Sequence, residues 1–306
     1  MKIVVATEKP FAKTAVDGIR KIIEDAGGEL RLLEKYTVVD AFYNAVADAD
    51  GLIVRSDKVT KEVIAAAKQL KIVVRAGAGY DNLDLSACTA RGIVAMNTPG
   101  QNANAVAELA VGMMVYMARN TFQPGTGSEL KGKSLGIHAY GNVGRLVAAI
   151  GKGFGMEVHA FDPFVPKETI EKDGVQVCAD AAELYSRCQY VSLHIPATAQ
   201  TKQSIGYALL SGMPKGACLV NTARKEVIHE DELLKVMEER TDLKYVSDIA
   251  PDNHAVLQEK FGVRYFSTPK KMGAETAEAN INAGLAAARQ VVNFFKHGDK
   301  TFQVNG

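Results

Sequence analysis

The chain of 306 residues has no tryptophan, four cysteines, no long apolar run and a formal charge of only +1. Each shortage excludes something. A balance of 36 basic and 35 acidic side chains creates no field to draw in nucleic acid or an anionic membrane, so any anion selectivity must come from a few local residues. Cys88, Cys178, Cys188 and Cys218 are scattered, with no CxxC pair and no histidine at ligand spacing. That pattern argues against a disulfide framework or a zinc site and fits a reducing cytoplasm. The N-terminal "MKIVVATEKPF" carries an apolar run too short for a signal peptide and reads as a first strand. No segment approaches membrane-spanning length. There is no internal repeat and no low-complexity stretch.

What the chain does have is alternation. Short β-branched runs recur at residues 2–6, 51–55, 71–75 and 92–96, and again at 133–139, 156–162, 190–195, 217–222, 244–249 and 263–267. Helical patterns separate most of them, as at Glu62–Gln69, Arg145–Phe154 and Glu230–Glu239. Such alternation predicts an α/β fold with parallel sheets built from βαβ units. Between the two series lies "NANAVAELAVGMMVYMARN", apolar on most faces, as a helix wedged between domains would be. A second long apolar helix is expected from about Ala274 to Lys296. Two such helices flanking the second series suggest that it is inserted into the first.

The segment "KSLGIHAYGNVGRLVAAIGKGFGMEVHAFDPF" is the most informative. A strand runs into Ala139, Tyr140, Gly141, Asn142, Val143 and Gly144, a helix follows, and a second strand ends at Asp162. This is the dinucleotide-binding fingerprint with Ala139 in place of the first glycine. Gly141 lets the backbone approach a pyrophosphate, Gly144 lets helix and strand pack closely, and the helix N-terminus offers N–H groups to the phosphates. Asp162 stands where a carboxylate accepts from the adenosine ribose and repels a 2′-phosphate, which favours NAD over NADP. Alanine at position 139 is expected to need φ < 0 and so to alter the turn slightly.

Several motifs together resemble the D-isomer-specific 2-hydroxyacid dehydrogenases, most closely the short D-3-phosphoglycerate dehydrogenases. These are "VVRAGAGYDNLDL" (73–85), "NTPGQNANAVAELAVGMM" (97–114), "VSLHIPATAQTKQSIG" (191–206), "GACLVNTAR" (216–224) and "TPKKMGAETAEAN" (268–280). They cover essentially the whole chain in the family's order. The resemblance implies two Rossmann-like domains with parallel sheets, the cofactor domain (101–281) being inserted into a discontinuous substrate domain (1–100 plus 282–306). It also implies a homodimer built through the cofactor domain. The residues after the last helix leave no room for a C-terminal regulatory domain, so serine feedback through one is not expected.

Carried onto these positions, the resemblance makes Arg224 the guanidinium that holds the substrate carboxylate and polarises the C2 oxygen, a role its planar fork suits. Ala76, Gly77, Ala78 and Gly79 present backbone N–H groups to the carboxylate, as Gly-rich turns do for anions, while Asn82 and Asp84 fix that loop. Asp248 corresponds to an aspartate that hydrogen-bonds the nicotinamide amide, and Thr222 and Ala223 line that pocket. His194, Pro196 and Thr201 fall at the cofactor, His194 as a strand-end feature rather than a proton carrier. Arg55, Ser56, Lys58 and Arg75, at strand ends, are the groups available for a substrate phosphate.

In one place the chain departs from the pattern. The family pairs a catalytic histidine, in a Pro-His-x-Gly setting, with a glutamate; here the glutamate position is Asn253 and lysine stands for histidine. Anchoring on Pro269 selects Lys270, and anchoring on Gly273, Thr276 and Glu278 selects Lys271. A lysine starts near about 10.4 and needs burial and a neighbouring cation, such as Arg224, to work as a base, whereas a paired glutamate would keep it protonated. Loss of both partners therefore reads as one change of chemistry, with a lysine as general acid/base. His254 and Asp252 are the rival proton carriers. The expected activity is NAD-dependent oxidation of 3-phosphoglycerate, a phosphorylated 2-hydroxy acid, towards serine. The alternatives are a reductase of glyoxylate, hydroxypyruvate or another 2-keto acid, and a non-catalytic NAD(H)-sensing protein.

Overall fold

Runs of β-branched residues with no polar alternation are best satisfied as strands covered on both faces, and the strands at 51–54, 94–97, 190–193 and 218–221 are buried at every position. The computed structural model describes residues 1–306 and places these strands in two parallel sheets. The chain divides into two units, Met1–Asn102 with Glu275–Gly306, and Ala103–Ala274.

The first unit alternates β1 (Lys2–Thr7), α1 (Lys13–Asp25), β2 (Glu29–Glu34), α2 (Val39–Val46), β3 (Gly51–Val54), α3 (Lys61–Ala66), β4 (Ile72–Arg75), α4 (Leu85–Ala90) and β5 (Val94–Asn97). The sheet order is β2-β1-β3-β4-β5.

The second unit opens with α5 (Ala103–Ala118), followed by β6 (Ser134–His138), α6 (Asn142–Gly153), β7 (Glu157–Phe161), α7 (Lys167–Lys172) and β8 (Gln176–Val177). It continues through α8 (Ala181–Arg187), β9 (Tyr190–Leu193), α9 (Tyr207–Ser211) and β10 (Cys218–Asn221). Then come α10 (Glu230–Glu239), β11 (Lys244–Ser247), α11 (His254–Phe261) and β12 (Tyr265–Ser267). Its sheet order is β12-β11-β10-β9-β6-β7-β8. The strand order reverses between β6 and β9, and a crevice beyond the C-terminal strand ends at such a switch point is where open α/β sheets bind ligands.

The last helix, α12 (Ala277–His297), returns to the first unit. Thr276 caps it by accepting from the Ala279 N–H (3.1 Å), so the helix starts later than the expected Ala274. Gly298 ends it in the left-handed region at φ 67°. The expected border at residue 282 would cut this helix. Its buried Ala283, Ala287, Ala288 and Val291 pack with Ile3, Val5, Ala15 and Ile19, so the helix belongs to the first unit along its whole length. The long apolar α5 is buried within the second unit's core, beside β6 and α6.

Two strands escaped the sequence reading, β2 and β8. Both are edge strands, half-exposed and charged or very short, so neither carries the apolar run that marks an interior strand. No helix is long and apolar enough to cross a membrane. All four cysteines are buried free thiols, pushed up by burial to about 11 or 12, which leaves them poor nucleophiles.

The end of β6 carries a buried imidazole, His138, against the Tyr185 hydroxyl (3.3 Å). Burial pushes it down to about 4. The unfolded chain takes this proton near pH 6.5 and the folded chain only near pH 4, so the unfolded state binds more protons in that window. Stability contributed by the neutral ring is therefore present above pH 6.5 and is lost as the pH falls towards 4, by on the order of 3 kcal/mol. Urea unfolding at pH 7 and pH 4.5 measures the loss, and His138→Gln is expected to reduce it while leaving the part contributed by the buried His194, which burial pushes down to about 3.

Candidate functional site

The turn after β6 is held by backbone. The Ala139 N–H donates to the Phe161 carbonyl (2.9 Å) and the Tyr140 N–H to Asp162 Oδ2 (2.7 Å), while Asp162 Oδ1 accepts from the Phe164 N–H (2.8 Å). Each Asp162 oxygen keeps lone pairs for further donors. Ala139 departs from expectation: it sits at φ 79°, in the left-handed region, so the turn keeps the glycine-type conformation and carries its steric cost. A Cβ at Gly144 would lie 2.3 Å from the Ala139 carbonyl oxygen, which is the close helix–strand approach the motif requires.

Helix α6 begins at Asn142 with no side-chain cap from Gly141. The N–H groups of Asn142, Val143 and Gly144 donate to no acceptor outside the helix, and a Cβ at Gly141 would meet nothing within 4 Å. Unpaired donors, a helix dipole and an open backbone surface form a seat for a pyrophosphate. The Tyr140 side chain takes no part. Its ring is buried and its hydroxyl donates to Asp173 (3.1 Å), so only its backbone belongs to the turn.

Beyond β9 and β10 lie further unpaired polar atoms. His194 Nε2 and the buried Thr222 Oγ1 have no hydrogen-bond partner, while the His194 N–H donates to the His138 carbonyl (2.9 Å). Buried polar groups are ordinarily satisfied, so these atoms fit a polar ligand such as the dinucleotide. Thr201 instead braces its own loop, its hydroxyl bonding the Pro196 carbonyl and accepting from the Thr198 N–H (2.7 Å). Asn221, which the sequence reading passed over, shapes the turn after β10. Its Oδ1 accepts from the Ala223 N–H (3.0 Å) and its Nδ2 donates to the Arg224 carbonyl (3.0 Å). The Arg224 guanidinium bonds the Ala223 carbonyl (2.9 Å) and forms no ion pair, so it retains donors for an anionic group.

Asp248, after β11, is fully buried. Its Oδ1 accepts from the Thr268 hydroxyl (3.0 Å) and the Met272 N–H (2.8 Å), and its Oδ2 from the Gly273 N–H (2.8 Å). The carboxylate expected at the nicotinamide is thus largely engaged with the loop that bears the two lysines. Lys270 and Lys271 are both exposed, contrary to the expected burial. The inward-turned N–H groups of Met272 and Gly273 explain this, because they commit the inner side of the loop to Asp248. The rival proton carriers are also engaged, His254 Nδ1 meeting the Tyr265 hydroxyl at 2.8 Å and Asp252 pairing with Lys225. At the glutamate position, the Asn253 N–H donates to Glu230 (3.0 Å).

In the first unit, Arg75 lies against the loop after β4, its Nε donating to the Arg55 carbonyl (3.0 Å). A Cβ at Gly77, at φ +151°, would fall 1.5 Å from Arg75 Nη1, so only glycine lets the guanidinium lie against this backbone. Asn97 Nδ2 donates to the Ala78 carbonyl (2.6 Å) and the Thr98 N–H to the Gly77 carbonyl (2.9 Å). The N–H groups of Ala78 and Gly79 have no protein acceptor, whereas those of Ala76 and Gly77 are used by Val54 and Arg75. Asn82 ties the loop down through the Arg55 and Asp57 carbonyls, and Asp84 caps α4.

Arg55 is not spare. Its guanidinium bonds the Lys9 (3.0 Å) and Pro10 (3.1 Å) carbonyls and Asn280 Oδ1 (2.6 Å), and it lies over the Phe11 ring. Ser56 and Lys58 line a cavity of about 520 Å³ whose walls include Glu8, Asp57 and Glu62. The four groups expected for a phosphate are therefore distributed among three jobs.

Residues 105–264 match the family model for the D-isomer specific 2-hydroxyacid dehydrogenase NAD binding domain. The NAD+-bound 3-phosphoglycerate dehydrogenase of Entamoeba histolytica superposes with a TM-score of 0.87 at 50% identity, over 100% of this chain and 99% of that one. The D-3-phosphoglycerate dehydrogenase of Methanocaldococcus jannaschii is 35% identical over 289 residues, covering 89% of this chain and 54% of that protein. The hydroxypyruvate reductase of Thermotoga maritima is 32% identical over 283 residues, covering 86% and 90%. The chain spans about half the length of the curated phosphoglycerate dehydrogenases it matches.

Replacing Ala139 by glycine is expected to relieve about 1 kcal/mol of backbone strain, net of the added chain entropy. A thermal melt should then shift upward by about 2 °C, with NADH affinity, read by titration of its fluorescence, unchanged or improved.

Proposed function

The chain belongs to the D-isomer-specific 2-hydroxyacid dehydrogenases, and from that premise we propose that it oxidises 3-phosphoglycerate to 3-phosphohydroxypyruvate with NAD, a step towards serine, using a lysine of the 270–271 pair as general acid/base. The observation that carries this reading is the 50% identity, over nearly the full length of both chains, to a protein described as a 3-phosphoglycerate dehydrogenase. The family's homodimer is part of the same reading.

Bound NAD supplies the acceptor for the hydride leaving C2. The protein's own residues do the rest. The N–H groups of Asn142, Val143 and Gly144 seat the pyrophosphate, and Asp162 accepts from the adenosine ribose. The unpaired donors of Arg224 bind and polarise oxygen on the substrate. Ala78, Gly79 and Arg75 offer a separate seat for an anionic group. A lysine, in its neutral form, takes the C2 hydroxyl proton and returns it in the reverse direction. Its place on the loop held by Asp248, after a parallel strand, supports this role in the absence of burial.

A second reading has its own support. Arg55 is committed to Lys9, Pro10 and Asn280, and the cavity of Ser56 and Lys58 has acidic walls, so the cations available for a phosphate are few. That favours reduction of an unphosphorylated 2-keto acid, as the name of the Thermotoga maritima relative describes for that protein.

Steady-state kinetics with matched substrates separates the two. A kcat/KM at least about 100-fold higher for 3-phosphoglycerate than for D-glycerate, roughly 2.7 kcal/mol of discrimination, is expected, and parity would select the reductase. With the better substrate, one of Lys270→Ala and Lys271→Ala should lose about 10²–10⁴ in kcat and the other less than about tenfold. Oxidation of no 2-hydroxy acid, with NADH still bound, would leave a non-catalytic NAD(H)-binding protein instead.

A further inference from the structure

The loop from Thr268 to Gly273 contains both lysines, and only Pro269 stiffens it from within. Its Thr268 N–H donates to the Ser247 carbonyl (3.0 Å), and one side chain gathers three further donors. The Asp248 carboxylate is wholly buried and receives three donors from this loop, the Thr268 hydroxyl and the Met272 and Gly273 N–H groups, at 2.8–3.0 Å. Its second oxygen fits so closely that a Cβ at Gly273 would lie 2.9 Å from it. Asp248 is itself fixed, since its N–H donates to the Asn221 carbonyl (2.9 Å), and the Asn221 side chain holds the turn of Ala223 and Arg224. The arginine turn and the lysine loop thus hang from neighbouring strand ends through two adjacent residues.

We propose that Asp248 is a positioning residue for the proton transfer: its buried carboxylate clamps the 268–273 loop and sets the lysine pair in register with the Arg224 turn. This rests on the dehydrogenase reading above and gives Asp248 a task independent of any contact with the cofactor. A carboxylate offers about four acceptor directions, and three are occupied by the loop. Buried donors aimed at a charged oxygen are among the stronger hydrogen bonds, so the loop's place depends on the ionised form. An asparagine at 248 would turn an amide N–H₂ towards a backbone N–H and lose one anchor. Valine at 268 would remove one donor and leave the charge.

Hydrogen exchange of the peptide spanning residues 268–273 in the intact protein, without cofactor, tests the clamp directly. Asp248→Asn is expected to speed exchange of the Met272 and Gly273 amides by about tenfold or more, and Thr268→Val by a few-fold, as loss of charged hydrogen bonds implies. Turnover should fall in the same order, by about 100-fold and about 5-fold, with a smaller change in KM for NAD. Unchanged exchange in both variants, with weakened NADH binding, would overturn the proposal and leave Asp248 a cofactor ligand. If Asp248→Asn does not fold, Thr268→Val decides alone, since its carboxylate stays paired with two N–H groups. Loosened loops with falling turnover, alongside active Lys270→Ala and Lys271→Ala, would uphold the clamp and sink the lysine reading instead.

Discussion

A parallel strand has to be entered from the same end as its neighbour, so the chain must cross back over the sheet each time, and every loop that follows a strand opens on one edge. In the second unit this constraint brings five such loops to the C-terminal edge of a single sheet. The dinucleotide turn follows β6, the His194 loop follows β9, Thr222 to Arg224 follow β10, Asp248 follows β11 and the lysines follow β12. No contact between distant side chains is needed to gather them. The first unit obeys the same rule, with Arg55 beyond β3 and Arg75 and its glycine loop at the end of β4.

Satisfaction of polar groups then separates structural positions from those left open. Asp248, Asn221 and Asp162 each bond backbone groups and fix a loop, Asp162 with lone pairs to spare. The N–H groups of Asn142, Val143, Gly144, Ala78 and Gly79, the Arg224 guanidinium and the Thr222 hydroxyl are left with spare capacity. Of these side-chain groups only the Thr222 hydroxyl is buried without a partner. Open donors gathered along strand ends mark a surface arranged around polar ligands rather than around itself.

Much of this could be read from the sequence because period and punctuation encode it. Interior strands, the glycine turn after β6 and the order of motifs follow from local rules, and α10 spans the Glu230–Glu239 that its helical pattern indicates. What stayed hidden depends on partners far apart in the chain. Arg55 looks like a free strand-end cation until Asn280, from α12, takes its guanidinium. The sequence offers Asp248 only as a cofactor ligand, and its bonds to the N–H groups of Met272 and Gly273 come into view only in the fold. Asn221 gave one faint local signal, an asparagine at a strand end before a turn, where such residues bond their own backbone. Ala139 was misjudged because intrinsic preference disfavours φ > 0 for alanine, while the two hydrogen bonds around it and the close packing of Gly144 impose that conformation.

The path of α12 bears on how the molecule is made. Residues 283–291 supply one side of the core against which β1 and α1 pack, and Leu285 lies where a side chain on Gly18 would sit, 2.5 Å from its Cβ position. The second unit is continuous and can close on itself as it leaves the ribosome. The first unit emerges earlier yet lacks part of its interior until translation has passed residue 291. For that interval, at about 5–20 residues per second on the order of ten seconds or more, its apolar face against α12 is open to solvent and to chaperones. The part of the chain made first is therefore the last to be finished.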